Sequence, residues 1–126
     1  MFRILLLIAA LGVFTSNAQA VSFDCAKAGK PDEVAICATA ELSALDSEMG
    51  GLWFAFSKVP MLMGSNGARM DDAHDFLNKR TACAGDVSCL RQAYHARIEV
   101  LKQSIAREVD NYFQLQNADP ATAPCL

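Results

Sequence analysis

The feature that most constrains this chain is its set of five cysteines within 126 residues. Two pairs, Cys25 with Cys37 and Cys83 with Cys89, flank predicted helices, while Cys125 stands next to last. Cysteines used this densely in a short exported domain form disulfides that brace a thin core, each contributing about 2–4 kcal/mol. The sequence slightly favours local pairing within each pair, with crossed pairing between the pairs as the alternative. Cys125 is then a free thiol or a link between two chains.

Residues 1–20 have the pattern of a secretory signal peptide. A basic start at Arg3 precedes an apolar run over residues 4–14, and Ala18 and Ala20 occupy the small positions of an A-x-A cleavage site. The run is well short of the roughly 20 residues that span a bilayer, so no membrane anchor is expected after cleavage. We predict cleavage after Ala20 and a periplasmic or secreted protein of residues 21–126.

The charge balance limits the partners. The formal net charge is −3, and it becomes −4 once Arg3 leaves with the leader. An acidic chain of this size has no electrostatic reason to bind nucleic acid or an anionic membrane surface. It favours a cationic protein partner instead.

Hydrophobic periodicity predicts an all-α fold, with spacings of three and four residues and no convincing strand. We expect a small, disulfide-stapled antiparallel bundle with one short N-terminal helix and three longer helices. The bundle should occupy residues 21–115, followed by a disordered tail at 116–126. The predicted helices cover 30–37, 39–59, 69–83 and 89–115, with a loop from Pro60 to Gly67.

A family pattern runs through two stretches of the chain, SFDCAKAGKPDEVAICATAELSALD and RTACAGDVSCLRQAYHARIEVL. They resemble the LprI-type family of secreted bacterial proteins, which is named for a lysozyme inhibitor. The resemblance covers about 80 residues, including four cysteines in register. The matching positions are Phe23, Asp24, Cys25, Lys27, Ala28, Glu33, Ile36, Cys37, Glu41, Leu42, Leu45, Asp46, Arg80, Cys83, Cys89, Leu90, Tyr94, Arg97, Ile98 and Leu101. The chain departs from the pattern at Trp53, Ala73 and Phe76. The resemblance implies a helical disulfide domain that inhibits lysozyme, without catalysis or a cofactor.

An inhibitor of this kind needs a protruding contact surface. The predicted loop exposes Met61, Leu62 and Met63 between two helices, and methionine suits adaptable binding surfaces. The favoured alternative is that this segment folds back as extra helix and completes the core.

Four polar residues, Asp46, Arg80, Tyr94 and Arg97, fall within or beside apolar stripes. We interpret them as a buried pairing in which Asp46 accepts hydrogen bonds from Arg80 or Arg97 and fixes the helix register. The segment Asp71 to Asp75 could hold a divalent ion on one helical face, but a solvated first turn explains its acids better.

No catalytic motif is present, and we expect no enzyme, metal or cofactor. The cysteines of this chain lack the C-x-x-C spacing that is typical of a zinc site built from cysteines and histidines. Two alternatives to lysozyme inhibition stay open. One is an envelope interaction module with another protein partner, and the other is a redox-active thiol protein with a labile disulfide.

Overall fold

A computed structural model describes residues 21–117, and all of its regular structure in that range is helical. A 3-10 turn at Cys25–Lys27 precedes four α-helices: α1 Pro31–Ala38, α2 Ala40–Ser57, α3 Met63–Ala82 and α4 Val87–Asn117. The all-α prediction is confirmed. The predicted signal peptide, its cleavage site after Ala20, Cys125 and most of the expected tail lie outside the described residues.

Helix α3 begins earlier than the sequence predicted. Pro60 and two glycines indicated a loop to Gly67, but the helix starts at Met63. Arg69 supplies the missing stabilisation, because its Nη1 donates to the carbonyls of Phe56 at 2.7 Å and Val59 at 3.0 Å. These bonds tie the first turns of α3 to the end of α2 and offset the helix-weakening effect of glycine, about 1 kcal/mol per residue.

Helix α4 ends later than the sequence predicted. It runs to Asn117, so Gln116 and Asn117, which were expected in the disordered tail, are helical. The side-chain amide of Asn117 donates to the carbonyl of Phe113 at 2.8 Å, and that of Gln116 donates to the Tyr112 hydroxyl. These bonds within the last turns supply local partners of the kind that helix ends otherwise lack.

The core lies mainly between α2 and α4, which pack on each other along most of α2. Helix α1 adds Ile36, and α3 adds Phe76, whose ring meets that of Tyr94 edge to face at 5.4 Å. The other buried apolar residues are Leu42, Leu45, Met49, Phe56, Cys83, Leu90, Ile98 and Leu101. Helix α3 contacts α4 and α1, but no Cα atom of α3 lies within 8 Å of a Cα atom of α2 in the described chain. A gap is therefore left between α2 and α3.

The four cysteines of the described chain form two disulfides with local pairing. Cys25 bonds Cys37 across a Cα separation of 5.8 Å, and Cys83 bonds Cys89 across 5.5 Å. The first bridge attaches the 3-10 turn to α1, and the second spans the turn from α3 to α4. Local pairing is thus the arrangement found, and crossed pairing is not.

Candidate functional site

The interior holds a polar cluster in which two buried carboxylates surround Arg80. Asp32 and Asp46 are both fully buried. Arg80 Nε donates to Asp32 Oδ2 at 2.9 Å, and Arg80 Nη1 lies 4.0 Å from Asp46 Oδ1. A buried guanidinium requires such partners because an unpaired buried charge is strongly destabilising. The cluster therefore fixes α3 against α1 and α2.

Tyr94 completes this cluster from α4. Its hydroxyl donates to Asp46 Oδ1 at 2.7 Å, and the backbone N–H of Ser22 donates to Asp46 Oδ2. Burial and the hydrogen bond to Asp46 raise the pKa of the Tyr94 hydroxyl above its usual value, so the group stays a neutral donor. The side chains in the cluster are buried away from solvent. We therefore assign the cluster a structural role.

The structure brings together three of the four polar residues singled out in the sequence. Asp46, Arg80 and Tyr94 share the cluster, but Arg97 pairs with Asp72 on α3. Arg80 lies at ion-pair distance from Asp46, as predicted, whereas the direct hydrogen bond to Asp46 comes from the Tyr94 hydroxyl. Asp32, the main partner of Arg80, was not among the predicted residues, because an acidic residue in the first turn of a helix already has a sufficient local explanation. The signal that could have found it is Arg80 itself, since a buried arginine needs a carboxylate.

Residues 21–117 contain no candidate metal site, because no three His, Cys, Asp or Glu side chains there are grouped to hold an ion. In the Asp71 to Asp75 segment, Asp72 is engaged with Arg97. The disulfide between Cys83 and Cys89 removes both thiolates that a zinc site would use.

The candidate binding site is a groove between α2 and α3, with a volume of about 430 Å³. Trp53 and Phe76 line its walls, and the Arg97 guanidinium lies 5.9 Å from the centre of each ring. Phe54 on α2, which is 65% exposed, and Leu77 on α3 form its rim. We call this feature the α2/α3 groove.

The chemistry of the α2/α3 groove is that of a receptor for an apolar or aromatic group. Its volume falls within the range of pockets that hold small molecules or a partner's side chain. Arg97 is almost fully buried and held by Asp72, so it presents a fixed cation beside two aromatic faces. Lys58 lies over the exposed Phe54 ring at 5.1 Å and adds a second cation at the rim.

The sequence did not reveal this groove, although one signal was present. Trp53 and Phe54 are adjacent on one helix, and adjacent helical positions point about 100° apart, so both cannot face the same core.

The three residues that the sequence predicted to contact a partner differ in their exposure. Met61 is half-buried against the core, whereas Leu62 and Met63 are 76% and 92% exposed.

Comparisons with known proteins give no neighbour: no family model, curated protein or solved structure matches this chain. Within the described part of the chain, no helix is both long enough and apolar enough to cross a membrane. The binding properties are therefore argued from the groove, the exposed side chains and the charge.

Proposed function

We propose that this chain is a non-catalytic, LprI-like protein of the periplasm or the exterior that binds a lysozyme or a related cell-wall glycosidase. The observation that carries the proposal is where the residues of the family pattern lie. Its cysteines form the two disulfides, and Asp46, Arg80 and Tyr94 form the buried cluster. Its apolar positions are core residues, namely Ile36, Leu42, Leu45, Leu90, Ile98 and Leu101. A pattern that coincides with the framework of the fold supports a genuine relationship.

The disulfides also support the proposed location. Two intrachain bridges are typical of proteins that fold in an oxidising compartment outside the cytoplasm. This agrees with the signal-peptide pattern of residues 1–20.

We further propose that the three long helices alternate in direction. Two ion pairs, Glu41 with Arg91 and Glu48 with Lys102, advance in the same order along α2 and α4. Contacts of α3 advance oppositely, since Phe76 meets Tyr94 while the earlier Asp72 meets the later Arg97. These contacts favour α3 antiparallel to both neighbours. The loop between α2 and α3 then lies at the end of the bundle away from the Cys83–Cys89 bridge.

The α2/α3 groove is the surface that we assign to the glycosidase. Such an enzyme presents two catalytic carboxylates in a cleft shaped for sugar rings. The rim offers Lys58 beside Phe54, a cation and an aromatic face that match those two properties. The acidic net charge of the chain speeds encounter with a cationic lysozyme, although such steering affects the association rate more than affinity.

The test is lysis of peptidoglycan by lysozyme in the presence of oxidised protein of residues 21–126, over a stoichiometric range. Dose-dependent inhibition that saturates near one to one is expected. Phe54→Ala and Leu77→Ala should each weaken inhibition by about tenfold or more, because the proposed contact buries both side chains and truncating such an apolar contact costs roughly 1–2 kcal/mol or more. Leu62→Ala is the matched control, since it removes an exposed leucine outside the groove. If Leu62→Ala alone weakens inhibition, the contact is the Met61–Met63 segment instead.

The second candidate is an envelope interaction module with a different protein partner. It is favoured by the fact that Phe54 and Leu77, at the groove rim, lie outside the family pattern. Framework residues can be shared among proteins whose contact residues differ. Absence of inhibition with several lysozyme types would overturn the lysozyme proposal. Capture of one specific envelope protein by the wild-type chain, lost in Phe54→Ala, would then support the module.

A further inference from the structure

The deeper part of the α2/α3 groove contains a single charged side chain. Among the residues that line the groove in the described chain, Arg97 alone is charged, and it is almost fully buried. Its guanidinium carbon lies 5.9 Å from the ring centres of both Trp53 and Phe76, which stand on opposite walls. Met49 adds a buried apolar side chain. We call Met49, Trp53, Phe76 and Arg97 the groove floor.

The bond to Asp72 does not use all the donors of Arg97. A guanidinium carries five N–H donors, and within residues 21–117 the only hydrogen bond that Arg97 makes runs from Nη1 to Asp72. None of the Arg97 nitrogens there is both buried and without a partner, so those that Asp72 leaves unbonded are accessible. Asp72 itself is about half exposed and does not line the groove. The groove therefore faces a cation whose balancing carboxylate lies outside it.

The two aromatic walls leave room for a third ring between them. Trp53 on α2 pairs edge to face with Phe56 on the same helix, at 6.4 Å. Phe76 on α3 pairs with Tyr94 on α4 instead. In the described chain the two wall rings do not pair with each other, and the groove that separates them has a volume of about 430 Å³. A flat ring inserted there would have an aromatic neighbour on each side, at the spacing that such rings prefer.

We propose that the groove floor binds a small aromatic carboxylate, a molecule of one or two fused rings that carries one carboxylate. The rings lie between Trp53 and Phe76, and the carboxylate accepts from the donors of Arg97 that Asp72 leaves unbonded. Arginine keeps its charge in proteins, and its planar fork suits a carboxylate. A neutral ring system lacks the charge-assisted hydrogen bonds, and an acyl chain lacks the contacts between rings.

The groove floor differs from the surface that we assign to the glycosidase. That surface is the rim, where Lys58, Phe54 and Leu77 lie. Binding of a small carboxylate to the floor needs no protein partner, so it does not rest on the proposed function. It is measured without lysozyme, and its failure would leave the result of the lysis assay unaffected.

The test is a titration of oxidised, isotope-labelled protein of residues 21–126 with 2-naphthoate. Binding is followed by NMR at the indole N–H of Trp53, which is the sole tryptophan and therefore gives one resonance. A saturable shift is expected, with a dissociation constant on the order of 0.1–1 mM for a ligand this small. Absence of a saturable shift would overturn the proposal.

Two other probes separate the charge of the ligand from its rings. 2-Naphthamide has the same rings without the charge, and decanoate has the carboxylate without a ring. Each should bind about fivefold or more weakly than 2-naphthoate, because each loses one of the two kinds of contact. Equal binding of 2-naphthamide would refute recognition by Arg97. Equal binding of decanoate would refute the aromatic ligand class.

A filled groove tests where the ligand binds. Ala73 lines the groove from α3, so Ala73→Leu should occupy the space and weaken 2-naphthoate binding about tenfold or more. Ala68→Leu is the matched control, because Ala68 is an exposed alanine of the same helix outside the groove. Equal affinities of the two variants would contradict the assigned site.

A variant at Asp72 tests the charge without changing any side chain that lines the groove. Asp72→Asn keeps the size of the side chain but removes the negative charge that shares Arg97. Binding of 2-naphthoate should therefore tighten about threefold or more, while binding of 2-naphthamide stays the same. A purely structural role of Arg97 predicts no such gain, so an unchanged or weaker affinity for 2-naphthoate would overturn the proposal. Circular dichroism verifies that each variant is folded.

Discussion

Replacing Asp46 by alanine tests the structural role of the buried cluster most directly. The carboxylate is fully buried, accepts from the Tyr94 hydroxyl at 2.7 Å and from the Ser22 N–H, and lies 4.0 Å from Arg80. Alanine leaves the buried Tyr94 hydroxyl without this acceptor, and a buried unsatisfied group costs about 1–3 kcal/mol, whereas the N–H of the exposed Ser22 can bond to water. It also removes one of the two buried carboxylates beside Arg80, and breaking such a pairing costs about 3–5 kcal/mol.

Asp46→Ala should therefore lower the free energy of unfolding by about 3–5 kcal/mol, with Asp32 still pairing Arg80. For a domain of this size that corresponds to a fall in Tm of at least about 12 °C. The assay is urea unfolding of the oxidised protein at pH 7, followed by circular dichroism and by fluorescence of Trp53, the sole tryptophan.

A double-mutant cycle with Tyr94→Phe isolates the hydrogen bond between the two side chains. Because Asp46→Ala already removes the acceptor of the Tyr94 hydroxyl, Tyr94→Phe should cost less in the variant than in the wild type. The expected coupling is about 1–3 kcal/mol. Two results would refute the reasoning: a loss below about 1 kcal/mol for Asp46→Ala, or two single effects that add within about 0.5 kcal/mol.

Two further predictions concern other ionic contacts. Arg80→Met should destabilise the protein by about 3–5 kcal/mol in the same urea assay, because it leaves the buried Asp32 uncompensated, and the additional change Asp32→Leu should recover part of the loss. If the double variant recovers no stability, the pairing of Arg80 with Asp32 is contradicted. Glu33 accepts from the backbone N–H groups of Gly29 and Lys30, which lowers the pKa of its carboxyl below 4.5. The stability that it adds is therefore fully present above about pH 5 and is lost as pH falls through the lowered pKa. The Tm difference between wild type and Glu33→Gln should shrink correspondingly below pH 4.5, and a difference independent of pH would oppose this.

The sequence predicts the helices well because local patterns specify them. The stripe from Leu90 through Tyr94 and Ile98 to Leu101 repeats at three and four residues, and all four side chains are buried in the structure. Local pairing of the cysteines was also the favoured arrangement, since the short loops close without rearrangement.

What the sequence does not reveal depends on contacts between residues far apart in the chain. Arg80 and Asp32 are separated by 48 positions, and the latter also has a sufficient local explanation as a first-turn acid. Similarly, the proline and glycines before Arg69 favour a loop, whereas the bonds from Arg69 back to the carbonyls of Phe56 and Val59 favour the longer helix. The α2/α3 groove is an absence of packing between two helices, which no local pattern encodes.

The disulfides join cysteines only 12 and 6 positions apart, whereas the bond from Tyr94 to Asp46 spans 48 positions. Because the chain is synthesised from the N-terminus to the C-terminus, Cys37 becomes available to Cys25 before Cys83 has been synthesised. The native bridge is thus the first one that can form, without a competing thiol. Oxidation can therefore precede assembly of the helices, and the bundle needs no later reshuffling of its bridges.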